Sequence, residues 1–119
     1  MTNNVITTAI APDGTHYLYT VGLTDYGRPE LILLGVPDAT AANAMAPLMV
    51  ALLQRQVVAA GNRKPIENDE TVSLQDLGVR VQLRTVEPRP DYPLTQVEQH
   101  YGFAPPMLTQ VEIEARNDA

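Results

Sequence analysis

A single long apolar segment in the middle of this 119-residue chain constrains its fold more than any other feature. Asp38 is a suitable N-cap residue, since its carboxylate can accept hydrogen bonds from the free amides of a first helical turn. The sequence therefore predicts one helix over residues 39–60, ending at Gly61. Sixteen of those 22 positions are apolar and only Arg55 is charged. Pro47 lies inside this segment and is expected to kink or split the helix, because proline lacks the backbone N–H.

The uninterrupted apolar part of this helix is too short to span a membrane. The apolar surface of the helix is nevertheless wider than one sheet can cover. Its unbroken apolar stretch, residues 44–53, is about half of what a bilayer requires. A helix on a sheet needs only one apolar stripe. Four further residues extend the apolar surface round the helix, and we expect them to form a homodimer interface: Val50, Leu53, Val57 and Val58. The alternative is an alanine-rich face that solvent tolerates.

The rest of the chain has the short β-branched runs, alternation and Gly or Pro punctuation of strands and turns. We predict six strands over residues 5–10, 16–23, 30–36, 71–74, 79–84 and 107–115, and a short helix over 94–101. The order is β-β-β-α-β-β-α-β. This order predicts an α+β fold, an antiparallel or mixed sheet with one long and one short helix packed on one face. Residues 1–119 are expected to form a single domain, with 115–119 as a frayed tail.

Composition excludes several classes of protein. The chain has no cysteine, which rules out disulfides, thiolate catalysis and Cys-ligated metals. The net charge is −6 and neither half is basic, so nucleic acid and anionic membranes are not expected as partners. No basic, apolar leader is visible at the start. These features favour a cytoplasmic protein.

Residues 19–37 carry a resemblance to a known family; they read Tyr-Thr-Val-Gly-Leu-Thr-Asp-Tyr-Gly-Arg-Pro-Glu-Leu-Ile-Leu-Leu-Gly-Val-Pro. This segment resembles the bacterial and phage family known as domain of unknown function 4262. Its members combine a Tyr-Thr-Val-Gly-Leu strand, a Gly-His-Pro-Glu-Leu turn, an apolar strand and a helix. Beyond this segment the likeness is one of layout, and it includes Tyr101–Gly102 and Gln110–Val111. The resemblance implies a bacterial or phage origin but no activity, and Arg28 stands where the family usually has histidine.

The best candidate site is the loop that follows the second predicted strand. Asp25, Arg28 and Glu30 place two carboxylates beside a guanidinium, a set that can bind an anionic or amide-bearing ligand. Thr20 is close in sequence, and Gln110 joins the set through the family resemblance. The simpler interpretation is that these charges only hold a surface turn together.

The histidines and the one serine lack the neighbouring residues that metal binding or catalysis requires. His16 and His100 have no second histidine at metal-ligand spacing, and Ser73 has no nucleophile elbow around it. We therefore predict no metal, no cofactor and no catalytic residue, and leave open whether the protein is an enzyme.

Two functions remain. The first is a small, uncharacterised, non-enzymatic binding protein that pairs with itself and engages a host or bacterial protein. The second is a small enzyme or ligand-binding domain that uses Asp25, Arg28 and Glu30 in a cleft beside the sheet.

Overall fold

The computed structural model describes residues 5–66 and 69–116 of the chain. Within these residues there are six strands, two α-helices and two single-turn 3₁₀ helices, at Leu23–Tyr26 and Gln75–Leu77. The strands and α-helices follow the predicted order: β1 Val5–Ile10, β2 His16–Val21, β3 Glu30–Val36, α1 Ala39–Gly61, β4 Asp69–Leu74, β5 Val79–Val86, α2 Thr95–Tyr101 and β6 Leu108–Arg116.

The strands form one mixed sheet in the order β1-β2-β3-β6-β5-β4. All neighbours are antiparallel except β3 and β6, which run parallel, with Glu30 opposite Leu108. The β1–β2 hairpin turns at Pro12–Thr15, a segment with Pro and Gly punctuation between the first two predicted strands. There the Asp13 carboxylate accepts hydrogen bonds from the Thr15 hydroxyl at 2.6 Å and amide at 2.9 Å. These bonds lower the pKa of Asp13. The α+β class and the mixed sheet are confirmed.

The two helices do not pack on one face, as the sequence analysis expected, but on opposite faces of the sheet. Helix α1 covers the side chains of Leu18, Leu31, Leu33, Leu83 and Val111. Helix α2, through Val97, covers the alternate positions of the same strands, namely Tyr17, Tyr19, Val21, Ile32 and Leu108. The physical reason is that β2 and β3 are apolar at consecutive positions, so both faces of the sheet centre need a cover. We call these the α1 face and the α2 face.

The far half of the α2 face is a solvated polar surface. Along β5 the side chains alternate as predicted, with Val81 and Leu83 buried and Arg80 and Arg84 exposed. Arg80 lies 3.7 Å from Glu114 and Arg84 lies 3.5 Å from Glu112 on β6. Four of the charged residues thus form two exposed ion pairs between the neighbouring strands β5 and β6.

Helix α1 begins as predicted, because the Asp38 carboxylate accepts a hydrogen bond of 2.8 Å from the Ala41 amide. It is not split at Pro47, which is exposed and lies inside a continuous helix. It also continues through Gly61 rather than stopping there. Arg63 adopts a left-handed conformation, with φ of 56°, and closes the helix end while the Lys64 amide donates to the Ala59 carbonyl.

The four residues expected at a homodimer interface divide into two pairs. Val50 and Val58 are 40% and 61% exposed, on the outer side of α1. Leu53 is buried in the core and Val57 is half-buried against it, so both contact the chain's own sheet. By length and composition alone α1 would also qualify as a membrane span, a test that core helices of globular proteins pass as well. Here the helix packs on the sheet through residues such as Leu52, which is fully buried.

The end of the chain is more regular than expected. Strand β6 continues to Arg116, which lies opposite Val79 of β5, and so includes the first two residues of the stretch expected to fray. Residues 117–119 lie outside the described part of the chain.

Candidate functional site

Glu30, the first residue of β3, is fully buried and satisfied by its own chain. Its carboxylate accepts hydrogen bonds from the amides of Gly22, Leu23 and Thr24, at 3.2, 3.1 and 2.9 Å. It also accepts from the hydroxyls of Thr20 and Thr24, at 2.8 and 2.7 Å. With five donors converging on two oxygens, Glu30 has little capacity left for a ligand.

The turn between β2 and β3 explains why these donors converge. Gly22 has φ of 132°, a conformation that side-chain-bearing residues rarely adopt, and it precedes the 3₁₀ turn Leu23–Tyr26. The free amides at the start of this turn therefore point at the Glu30 carboxylate. The Thr20 hydroxyl extends the network by accepting from the Leu31 amide at 2.9 Å. Thr20 and Glu30 are thus structural partners that hold the turn on the sheet.

Arg28 is the other buried charge of this turn, with only 7% of its surface exposed. Its Nη2 donates to the main-chain carbonyl of Lys64, in the loop that follows α1. No carboxylate of the described residues lies within ion-pair distance of the guanidinium. The structure therefore separates Arg28 from Glu30, and it does not form the Asp25–Arg28–Glu30 ion-pair cluster considered from the sequence.

A cleft of about 470 Å³ opens beside Arg28, between the C-terminal half of α1, the loop after it and the sheet. Arg55 and Glu70 form an ion pair at its side. Its charged and polar lining residues are Arg28, Gln54, Arg55, Gln56, Lys64, Glu70 and Thr109. Three of the eight basic residues of an acidic chain thus line one cleft, which gives it a local excess of positive charge.

A second, smaller cavity of about 220 Å³ adjoins the first. Arg28, Pro29 and Ile66 line both. The remaining lining of the second cavity is almost wholly apolar: Thr24, Gly27, Phe103, Pro105, Pro106 and Met107. The Arg28 side chain thus lies where a cationic cleft meets an apolar cavity.

Asp25 is exposed in the 3₁₀ turn and lies near Tyr101, the last residue of α2. The Tyr101 hydroxyl is buried and faces Asp25 without reaching hydrogen-bond geometry with any described residue. Burial, and after it the negative charges of Glu30 and Asp25, raise the pKa of Tyr101 to about 12. Asp25 therefore belongs to the contact between the turn and α2, and it lines neither cavity.

Gln110 is half-buried on β6, opposite Ile32 of β3 and Arg84 of β5, and lines neither cavity. Of the five candidate ligand residues, the structure therefore brings together only Thr20 and Glu30, and places only Arg28 at a cavity. Among the described residues, no group of three histidine, aspartate or glutamate side chains could hold a metal ion.

Sequence reasoning missed most of the cleft. Lys64 and Ile66 line the cleft from the segment between α1 and β4, where the sequence analysis predicts no site residue. One signal was available: Arg55 is the only charge in an otherwise apolar helix. A charge retained on such a helix needs a partner or a function, and it has Glu70 as a partner.

The fold and the cleft define a class: a small α+β domain in which a mixed six-stranded sheet, covered by one helix on each face, carries a cationic cleft next to a buried arginine. A family model matches residues 2–118, so the chain belongs to the family described as domain of unknown function DUF4262. No curated protein and no solved structure shows a significant match to the chain.

Proposed function

We propose that the protein is a non-enzymatic binding protein whose ligand presents an anionic group to Arg28. The proposal rests on the burial and the hydrogen bonding of that guanidinium. It is buried at the junction of two cavities, and its one hydrogen bond within the described chain goes to the neutral carbonyl of Lys64. An arginine has five N–H donors in a planar fork that matches carboxylate or phosphate oxygens. A buried charge without an anionic partner is unfavourable, and a bound anion would supply one.

The size and charge of the cleft support the same proposal. A volume of about 470 Å³ lies within the range of small-molecule sites, about 300–1,000 Å³. Among the described residues that line it, Glu70 is the only acidic one, and that carboxylate is already paired with Arg55. An incoming anion therefore meets more positive than negative charge.

The experiment is a titration followed by two-dimensional amide NMR, with acetate and inorganic phosphate as anionic probes and ethylammonium as the cationic control. We expect saturable shifts with at least one anion and none with the cation. Arg28→Met should weaken anion binding about tenfold or more, since a charge-assisted pair contributes roughly 1.5–3 kcal/mol.

The matched control is Arg80→Met, which removes an exposed arginine on the opposite face of the sheet. It should leave the anion affinity unchanged. Arg28→Lys, which keeps the charge without the planar fork, should retain part of the affinity, and circular dichroism should establish that each variant is folded. Equal affinity of the wild type and a folded Arg28→Met variant would contradict the proposal.

Self-association through the outer side of α1 is a second candidate function. Only 22% of the most apolar stretch of this helix is buried, and Val50 and Val58 are exposed along it. The one charged residue of α1, Arg55, is paired with Glu70, so no free charge opposes a second copy. We propose a homodimer that buries this side.

Light scattering coupled to size-exclusion chromatography tests the homodimer. A dimer should become monomeric in Val50→Asp, which changes an exposed position of α1 that lines neither cavity, because the interface would have to bury an unpaired charge. Ile10→Asp, at an exposed position on the edge strand β1, should not change the mass. A wild-type protein that stays monomeric at every concentration tested contradicts the homodimer.

The proposed setting is the cytoplasm of a bacterium or of a phage-infected cell. The chain's net charge of −6 supports a protein that associates with neither nucleic acid nor an anionic membrane, and the proposal needs no cofactor. A host or bacterial protein as a further partner stays a prediction from the sequence. Fractionation of expressing cells tests the setting, and recovery of the protein in the membrane fraction would contradict it.

A further inference from the structure

We propose that the ligand is an organic monocarboxylate with one apolar chain, its carboxylate at Arg28 and its chain in the second cavity. This inference rests on the proposed anion-binding function and adds the chemical class of the ligand. It follows from three features of the second cavity: its lining, its connection to the cationic cleft, and the number of charges available.

The lining of the second cavity is suited to a hydrocarbon chain. Among the described residues that line it, Arg28 is the only charged one, and the hydroxyl of Thr24, the one other polar side chain, already donates to Glu30. Ile66 and Phe103 are 48% and 50% exposed at this place. Two large apolar side chains that share one cavity keep a substantial area in contact with water, and a bound chain would bury it.

The connection between the cavities determines the layout of the ligand. Arg28, Pro29 and Ile66 belong to both linings, so a group held by the guanidinium is next to the apolar lining. The second cavity, at about 220 Å³, is roughly half the volume of the cationic cleft and is open to solvent, so it would hold the chain of a single small ligand. A medium-length chain attached directly to an anionic head fits both features.

The number of charges favours a single negative charge on the head group. In the part of the chain that the structure describes, Arg28 is the one buried cation, and one of its donors is occupied by the Lys64 carbonyl. Lys64 lines the cationic cleft but not the second cavity, and Arg55 is paired with Glu70, which leaves Arg28 as the one cation among the described residues that line both cavities. A carboxylate matches the remaining donors of one guanidinium in charge and in geometry.

The experiment compares acetate, octanoate and octylammonium as NMR titration probes of the full chain. We expect octanoate to bind at least tenfold more tightly than acetate, and octylammonium not to bind at this site. Phe103→Ala should remove most of the octanoate advantage and leave acetate affinity unchanged. Leu77→Ala, which truncates an exposed leucine that lines neither cavity, should change neither affinity.

The outcomes separate this inference from the function on which it rests. Equal affinity for octanoate and acetate, with both lost in Arg28→Met, overturns the inference and leaves anion binding standing. An octanoate affinity that does not change in a folded Arg28→Met variant overturns both. A wild type that binds neither acetate nor octanoate overturns the inference, and if it also fails to bind inorganic phosphate the anion-binding function is overturned as well. A tenfold octanoate advantage that survives in Phe103→Ala also overturns the inference, because the chain would then lie elsewhere.

Discussion

At the scale of single residues, the two buried charges of the β2–β3 turn have opposite roles. Glu30 is surrounded by donors from its own turn, and Arg28 faces two cavities. The sequence places the two residues two positions apart and makes both candidates for ligand binding. It could not separate them, because the outcome depends on where the amides of residues 22–24 point. That direction is a property of the folded turn.

Glu30→Gln should destabilise the protein by about 2–4 kcal/mol, because an amide group cannot accept all five hydrogen bonds and leaves buried amides unpaired. Urea denaturation measures the free energy of unfolding. The control is Glu112→Gln, which removes a charge of an exposed pair with Arg84 and should cost less than about 1 kcal/mol. Similar losses for the two variants would contradict the structural role of Glu30.

Two tyrosine hydroxyls provide a second residue-scale prediction. The Tyr17 hydroxyl donates to the Pro93 carbonyl at 2.7 Å, whereas the Tyr101 hydroxyl has no hydrogen-bond partner among the described residues. Tyr17→Phe should therefore cost about 1 kcal/mol at neutral pH, and Tyr101→Phe should cost close to nothing. Thermal or urea unfolding measures both, and a larger loss for Tyr101→Phe would show that its hydroxyl is bonded.

Tyr101 also predicts how stability depends on alkaline pH. Its pKa is about 12 in the folded chain, against an ordinary value of 10.0. Between these values the unfolded chain has lost the proton and the folded chain retains it, so the free energy of unfolding falls as pH rises. Burial raises the pKa of Tyr17 and Tyr19 as well, so they add to the fall. Tyr101→Phe should lose stability less steeply above pH 10 than the wild type; parallel curves would contradict this assignment.

At the scale of elements, the order of strands and helices could be predicted because each follows a local pattern. The alternation over residues 79–84, the Asp38 cap and the Pro12–Thr15 turn all form as expected. The placement of α2 on the second face could not be deduced in the same way. The hairpin-like links between the strands favoured helices on one face, but Tyr17 and Tyr19 need cover on the face opposite Leu18.

Helix ends give an element-scale prediction with a matched pair of glycines. Gly61 lies in the last turn of α1 without a positive φ, and an added Cβ would meet nothing within 4 Å. Gly61→Ala should stabilise the protein by about 0.4–1 kcal/mol. Gly102 closes α2 with φ of 78°, so Gly102→Ala should destabilise it by about 1 kcal/mol. Thermal unfolding compares the two, and shifts of the same sign would contradict the assigned helix ends.

At the scale of the whole molecule, the cleft is assembled from segments that are distant in the chain. Arg28 contacts Lys64, and Thr109 joins them because β6 pairs with β3 in parallel. No local pattern predicts a parallel pairing between the third and the last strand. The sequence therefore indicated one residue of the cleft, Arg28, but could not indicate the others or the neighbouring apolar cavity.

The most direct test of the central claim, that Arg28 is the ligand contact, is the NMR signal of the arginine side-chain Nε–H groups during titration with octanoate. We expect the Arg28 signal to shift most and to saturate together with the amide signals of Lys64 and Thr109. We expect no shift at Arg80 or Arg84, on the opposite face of the sheet. An Arg28 signal that stays in place while other arginines shift would contradict the account.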